Sequence, residues 1–282
     1  MNIRSGALLA ATLGASLGAC AVAAEWAPNL TTTATWNSNA TNASRASDQI
    51  GLLSLRAEAD SSVRFSTGTS DAWFAGAALS GELTPRFAGL NRAGIGPQLA
   101  WQHKFGLGPF VPVLGVDLAG EAGGAHESAR HALSGSATIS LRQRFDAATR
   151  VALSHAFRRE DARGTVFDRT GRETSLELTR DLDEAWSLAF TVRWREGDVL
   201  SYATPPRPDL VALARVRSPN TTFDRAFVAY SIDARSLTGG VAAMRAFGNA
   251  STLALRYECR QTERGPLRYV NHLVSAAVAR HF

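Results

Sequence analysis

The chain has 282 residues, of which 45% are hydrophobic and 20% charged, and its formal net charge is +5 at pH 7. This balance excludes a disordered polar chain, and two cysteines exclude a small domain stapled by disulfides. Beyond the N-terminus no apolar run reaches about 18 residues, which argues against an interior transmembrane helix. The basic residues are spread along the sequence, so no single patch points to nucleic acid as a partner.

Residues 1–24 have the pattern of a secretory signal peptide. Arg4 gives a positive start, the segment 7–19 is apolar, and residues 22–24 supply small side chains for cleavage. A short membrane anchor is the alternative, although the apolar segment is brief for that purpose. The run Leu17-Gly18-Ala19-Cys20 also resembles a bacterial lipobox, in which the cysteine becomes the lipidated first residue. The sequence leaves the lipidation of Cys20 open.

Residues 25–282 are dominated by alternating apolar and polar side chains. In the segment 53–65, most odd positions are apolar, whereas the even positions include Arg56, Glu58 and Asp60. Because successive side chains of a strand point to opposite faces, the pattern predicts a strand with one apolar and one polar face. Similar segments predict an all-β chain of twelve strands, at 30–39, 50–66, 71–82, 92–105, 109–120, 130–145, 149–160, 171–182, 186–197, 228–247, 251–261 and 267–282.

The connections between these strands alternate in length. Short ones such as 145–148 are followed by longer ones rich in Gly, Arg, Asp and Pro, such as 160–171 and 198–222. Short turns on one side and long loops on the other are typical of an up-and-down β-barrel that crosses a membrane. Pro112 falls within the predicted fifth strand, where it cannot donate to the ladder, so a local irregularity is expected there.

A soluble exported β-sandwich also alternates, because its two apolar faces pack against each other. A membrane is favoured by the aromatic residues at the ends of the apolar faces, where interfacial girdles belong. These residues are Phe65, Phe105, Phe145, Phe157, Trp186, Trp194 and Phe247.

The last predicted strand ends in Phe282, with Val274, Ala276 and Val278 on its apolar face. This ending resembles the assembly signal of Gram-negative outer-membrane β-barrel proteins, although Arg280 stands where that signal usually has an apolar residue. The resemblance implies a transmembrane up-and-down antiparallel β-barrel of about twelve strands in the bacterial outer membrane. It also implies outer-membrane lipids and the barrel assembly machinery as partners.

The polar face of the predicted barrel is rich in arginine. The candidate lumen or constriction residues are Arg56, Glu58, Arg142, Arg144, Glu177, Arg193, Arg195, Arg256 and Glu258. Two interpretations remain open. In one, the arginines line a narrow pore or passive channel that prefers small anionic solutes. In the other, arginine–carboxylate pairs plug the lumen, and the protein is a structural or surface-interaction barrel.

The segment 198–222 contains four prolines and is predicted to be a long external loop. It is interpreted either as a mobile loop or as a gate, a lid or a binder of anionic surfaces. Within it, residues 209–214 are compatible with one short helical turn, which would support a lid.

The triplet His126-Glu127-Ser128 resembles the His-x-Ser pair of outer-membrane phospholipase A, which would make the chain a lipid hydrolase. The next predicted strand has no asparagine to orient the base, so we expect a protein that is not an enzyme. The six histidines do not cluster at metal-ligand spacing, so neither a metal nor another cofactor is expected.

Overall fold

The computed structural model describes residues 26–66, 68–248 and 250–282. The predicted signal peptide, residues 1–24, lies outside the described residues. Most of the described backbone lies in thirteen strands: β1 Trp26–Asn37, β2 Leu52–Ser66, β3 Asp71–Leu83, β4 Arg92–Lys104, β5 Val113–Ala125, β6 Ala132–Arg144, β7 Thr149–Ala162, β8 Arg169–Asp181, β9 Trp186–Ala203, β10 Val216–Asn220, β11 Phe227–Phe247, β12 Ser251–Arg264 and β13 Leu267–His281.

Twelve of these strands form a closed antiparallel barrel. Neighbours in the chain pair with each other, and β1 closes the sheet against β13, with Asn29 opposite His281 and Asn37 opposite Leu273. β9 pairs with β11, while the short β10 pairs with residues 227–231 of β11 beyond the end of β12. Closure lets a sheet satisfy its backbone groups in hydrocarbon. The predicted up-and-down barrel of twelve strands is therefore confirmed, with one extra strand at its mouth.

The outer surface of the barrel carries a band of exposed apolar side chains. On β6, Leu133, Ile139 and Leu141 point outward and Leu133 is 67% exposed. The register also places apolar side chains of neighbouring strands side by side, since Leu153 lies opposite both Leu141 and Leu176. A single exposed leucine is ordinary, but a continuous band of them is the surface that a bilayer covers.

Two connections at one end of the barrel are closed in the same way by aspartate. Asp146 accepts hydrogen bonds from the backbone N–H groups of Ala148 and Thr149, at 2.7 and 2.8 Å. Asp183 does the same for Ala185 and Trp186, at 2.8 Å. Short aspartate turns of this kind are typical of the periplasmic side of bacterial barrels. We call this side the short-turn end and the opposite side the long-loop end.

The predicted bounds of the fifth strand are wrong. The prediction was 109–120, whereas β5 is Val113–Ala125, so Pro112 lies before the ladder. The Pro112 carbonyl accepts a hydrogen bond from the Phe105 N–H at 3.0 Å and closes the connection between β4 and β5. Because a strand that begins after the proline can donate at every position, the ladder starts there.

The prediction of a loop over 198–222 is also partly wrong. β9 continues to Ala203, and β10 occupies Val216–Asn220. The predicted helical turn is present as a short helix, α1, at Pro208–Leu213. The alternation of short and long connections fails at β12 and β13, which are joined by residues 265–266 at the long-loop end. Tertiary contacts at the mouth, described below, hold these extensions.

No helix among residues 26–66, 68–248 and 250–282 is both long and apolar enough to span a bilayer.

Candidate functional site

The strand register places all nine predicted lumen residues on the inward face of the barrel. Arg142 lies opposite Ala152 and Val113, and Arg195 lies opposite Glu173, all at positions that alternate with the outward leucines. The same alternation turns the others inward: Arg56, Glu58, Arg144, Glu177, Arg193, Arg256 and Glu258. The period of two thus sorted charged from apolar side chains as the sequence predicted.

An upper cavity of about 450 Å³ occupies the long-loop half of the lumen. Its wall is formed by polar and charged side chains of β2 to β9, including Arg56, Arg158 and Arg195. Several of its arginines are held by carboxylates. Arg56 contacts Glu58 at 3.0 Å, and two further pairs, Arg92–Glu82 and Arg169–Glu160, span 2.9 and 2.6 Å.

A lower cavity of about 490 Å³ faces the short-turn end. Arg142, Arg144, Arg150 and Glu177 line it, together with apolar atoms of the connection between β4 and β5. Asp181 holds two of these arginines, since its carboxylate lies 3.1 Å from Arg150 and 3.5 Å from Arg144.

A belt of polar side chains, which we call the partition, lies between the two cavities. Glu258 on β12 forms ion pairs with Arg193 on β9 and with Arg256, the latter at 3.3 Å. Beside Arg193, the hydroxyls of Ser154 on β7 and Ser175 on β8 are 2.7 Å apart, and Ser175 lies directly opposite Arg193. Along β7 and β8 these serines lie between the positions that line the upper cavity and those that line the lower one.

Some inward arginines have no carboxylate partner. Within the described residues, Arg142, Arg158, Arg195 and Arg260 form no ion pair within 4.0 Å. Arg195 is surrounded by the charges of Arg158, Arg169 and Arg260, with Glu173 as the nearest opposing carboxylate. Two of these arginines, Arg158 and Arg195, line the upper cavity, where unpaired cations contribute a positive potential.

The long-loop mouth is covered by residues 204–226, which we call the cap. The cap forms hydrogen bonds with two other connections at this end of the barrel. Asn220 and Thr222 donate hydrogen bonds to Glu127 in the connection between β5 and β6, at 3.0 and 2.7 Å. Thr204 donates to Asp48 at 2.8 Å, and Arg225 donates to the Ser47 carbonyl at 2.9 Å, both in the connection between β1 and β2.

An aromatic cluster fixes the cap from below. Phe223 packs edge-on against Phe87 and Tyr202, with ring centroids 5.2 and 5.0 Å apart, and Phe227 and Phe167 complete the buried group. These residues come from different sides of the barrel rim, so the cluster spans the mouth. Burial of several aromatic rings is a strong and non-directional attraction. The cap is therefore a packed structure held at the barrel rim.

Arg207 joins the cap to the loop between β1 and β2. Its side chain is 1% exposed, and it donates hydrogen bonds to Asp209, the closest at 2.7 Å, and to Ser44 at 2.9 Å. The carboxylate of Asp48 lies 3.7 Å away, an electrostatic contact too long for a hydrogen bond. The hydrogen bonds from Arg207 lower the pKa of Asp209 to about 2. Asp209 lies within the cap itself, so Ser44 and Asp48 are the contacts through which this buried arginine joins the cap to the neighbouring loop.

The triplet suggested for lipid hydrolysis is used for structure. Glu127 holds Arg130 at 2.7 Å as well as the two cap residues, and Ser128 begins a single 3₁₀ turn. In the described part of the chain, no hydrogen bond joins His126 to Ser128, and no three histidine, cysteine, aspartate or glutamate side chains lie together as a metal site would require.

The comparisons with known proteins agree on the fold. An outer membrane channel from Pseudomonas putida F1 matches with a TM-score of 0.61 and 12% identity, covering 94% of this chain and 97% of its own. The NanC porin matches with a TM-score of 0.50 and 7% identity, covering 89% of this chain and 98% of its own. The fold is that of the outer-membrane β-barrels. No protein-family model and no curated protein sequence matches the chain.

Sequence reasoning missed the residues that close the mouth. The signal available was the presence of Phe223 and Phe227 just after the proline-rich segment, since large aromatic side chains near a long loop need a place to bury. The nearby Asp209 did not indicate that Arg207 would be buried, because the other partners of Arg207, Ser44 and Asp48, lie in a loop more than a hundred and fifty residues away.

Proposed function

We propose that the protein is a narrow channel of the bacterial outer membrane for small anionic solutes, closed from outside by its cap. The carrying observation is the pair of arginines without carboxylate partners in the upper cavity, Arg158 and Arg195. An ion-pair plug would satisfy each arginine with a carboxylate, whereas unpaired guanidinium groups facing a cavity provide donors for a passing carboxylate, sulfonate or phosphate. The fold it shares with the Pseudomonas channel supports the same conclusion.

The experiment is an ion-selectivity measurement on single channels in planar bilayers. In a KCl gradient, the reversal potential of the open channel is expected to favour chloride, and the double variant R158Q/R195Q is expected to shift it toward potassium. R245Q is the matched control, because Arg245 is exposed on the outward side of β11 and its loss leaves the lumen unchanged. A reversal potential that R158Q/R195Q leaves unchanged would contradict the anion preference.

The second candidate is a structural or surface-interaction barrel with a closed lumen. The partition at Glu258 and the packed cap favour it, since both lie on the path from one mouth to the other. Liposome swelling distinguishes the two functions. If folded protein lets no small solute through, even after the cap is released by the Arg207 substitution described below, the closed barrel is the better proposal.

We also infer that the last strand is read by the barrel assembly machinery. Val274 and Val278 are exposed on the outward face, and Phe282 is 66% exposed with the Arg280 guanidinium 4.9 Å from its ring centre. This arginine points outward at the short-turn rim, where a long side chain reaches the interface. Loss of membrane assembly in F282A, measured by heat-modifiable migration on a denaturing gel, is the expected result.

A further inference from the structure

A second cavity of about 450 Å³ lies on the outside of the barrel, near the long-loop end. It is a cleft between β8, β9 and β11. Outward positions of these strands form its walls, with Arg172 opposite Glu196 and Glu196 opposite Arg235. Arg215, at the edge of the cap, and Arg264 complete the basic rim. Neither the lumen nor the cap accounts for this cleft.

The backbone of Gly197 forms part of the floor of the cleft. Its φ of +136° is a conformation that only glycine adopts readily, and a Cβ there would lie 2.2 Å from the Thr170 carbonyl oxygen. A side chain at Gly171, directly opposite, would stand beside Arg195 on the lumen side. On the outside, the side chains of Arg172, Glu196 and Arg235 form the walls beside this floor.

The position of the cleft along the strands matches the level of lipid headgroups. Trp194 lies two residues below Glu196 on the same outward face of β9, and Phe157 lies opposite Arg172. Both rings are exposed, as is Leu237 beside Trp194. Aromatic residues mark the interface between hydrocarbon and headgroups. The cleft begins just above that level, on the long-loop side.

The arginines of the cleft keep donors free for a ligand. The side chains of Arg172, Arg215 and Arg235 are 66, 66 and 63% exposed. Glu196 is shared by Arg172 and by the Nε of Arg235, at 3.2 Å for the latter, so the terminal amino groups of Arg235 point to solvent. The carboxylate of Asp198 is buried and accepts from the Thr170 N–H at 2.9 Å and from Arg215, which leaves Asp233 as the exposed acid of the cleft.

We propose that this cleft binds the phosphate headgroup of a phosphorylated outer-leaflet glycolipid. Arginine guanidinium groups match phosphate oxygens in paired hydrogen bonds, and they are less strongly hydrated than lysine. The cleft volume of about 450 Å³ has room for a sugar-sized headgroup, and the acyl chains lie along Trp194, Phe157 and Leu237 below. An anchored lipid at this point would also contact Arg215 and so couple the bilayer to the cap.

The test measures lipid binding by the full barrel in detergent with native mass spectrometry. The probe is lipid A, a diphosphorylated and acylated disaccharide, added in the presence of EDTA so that divalent cations do not bridge the phosphates. R172Q/R235Q is expected to weaken binding by about tenfold or more, the loss typical of two charge-assisted contacts. The control, R245Q/R280Q, removes the same charge from the outward face at the opposite rim and is expected to bind as the unmodified chain does.

Three results would overturn the proposal. They are equal affinity of folded R172Q/R235Q, equal affinity for dephosphorylated lipid A, and displacement of lipid A by inorganic phosphate, which would mean that the site reads a free anion. Heat-modifiable migration establishes that each variant is folded. If R172Q/R235Q does not fold, R215Q replaces it, because Arg215 lies outside the twelve-stranded wall. A several-fold loss for R215Q supports the site, and unchanged binding contradicts it.

Discussion

Substituting Arg207 by glutamine is expected to release the cap and open the mouth. The arginine is buried and satisfies Asp209, Ser44 and, through space, Asp48, whose side chain is 4% exposed. Removing one member of a buried ion pair costs about 3–5 kcal/mol, because the remaining charge is left unpaired. Asp209 is about one-third exposed and can turn to water, so the lower end applies, about 3 kcal/mol.

That free energy predicts a large change in gating. At 1.4 kcal/mol per factor of ten, about 3 kcal/mol lowers the ratio of closed to open cap on the order of a hundredfold. The barrel itself should remain folded, because its wall depends on the strand ladders and not on the cap. The assay is single-channel recording in planar bilayers, in which R207Q is expected to be open for most of the record and the unmodified chain closed for most of it.

The matched control is R225Q, which also lies in the cap. Arg225 is exposed and donates one hydrogen bond to the Ser47 carbonyl, so its loss is expected to change the open fraction by less than about fivefold. If R207Q is folded by heat-modifiable migration and yet has the open fraction of the unmodified chain, the buried arginine does not hold the cap and the reasoning is refuted.

Two further outcomes follow from particular residues. The Asp209 pKa of about 2 lies below its ordinary 3.8, so the carboxylate stabilises the closed cap above pH 4. This contribution, on the order of 1–2 kcal/mol after screening, is lost as the pH falls from 4 to about 2. Channel recordings at a series of acid pH values should therefore show opening of the unmodified chain and no such pH-dependent opening of R207Q. Leu176 lies mid-strand between Leu153 and Val192 on the lipid-facing side. L176R should therefore destabilise the barrel by about 2–4 kcal/mol in urea unfolding from vesicles, whereas L176F should not. Equal stability of L176R and the unmodified chain would contradict the lipid-facing assignment.

Much of the barrel was predictable because the information is local. Successive residues of a strand point to opposite sides of the barrel wall, so an odd or even position decides the side on which Arg56, Arg142 or Arg195 lies. The alternation of the neighbouring residues shows which side that is. The same holds for the turns at Asp146 and Asp183. The start of β5 was predicted wrongly because the alternation of 109–120 is blurred by Pro109 and Pro112, and the choice of register depends on the neighbouring strand.

The sequence alone determined that the chain forms strands with one apolar and one charged face, because a period of two sends neighbouring side chains to opposite sides of a strand. The tertiary structure decided which arginines form ion pairs with carboxylates and how far β9 and β11 extend beyond the other strands of the barrel. It also decided how the aromatic rings of distant loops pack together over the mouth. It also decided that Arg172, Glu196 and Arg235 meet around a cleft on the outside. These features join residues far apart in the chain, and their energies depend on the closure of the barrel, which no local pattern encodes.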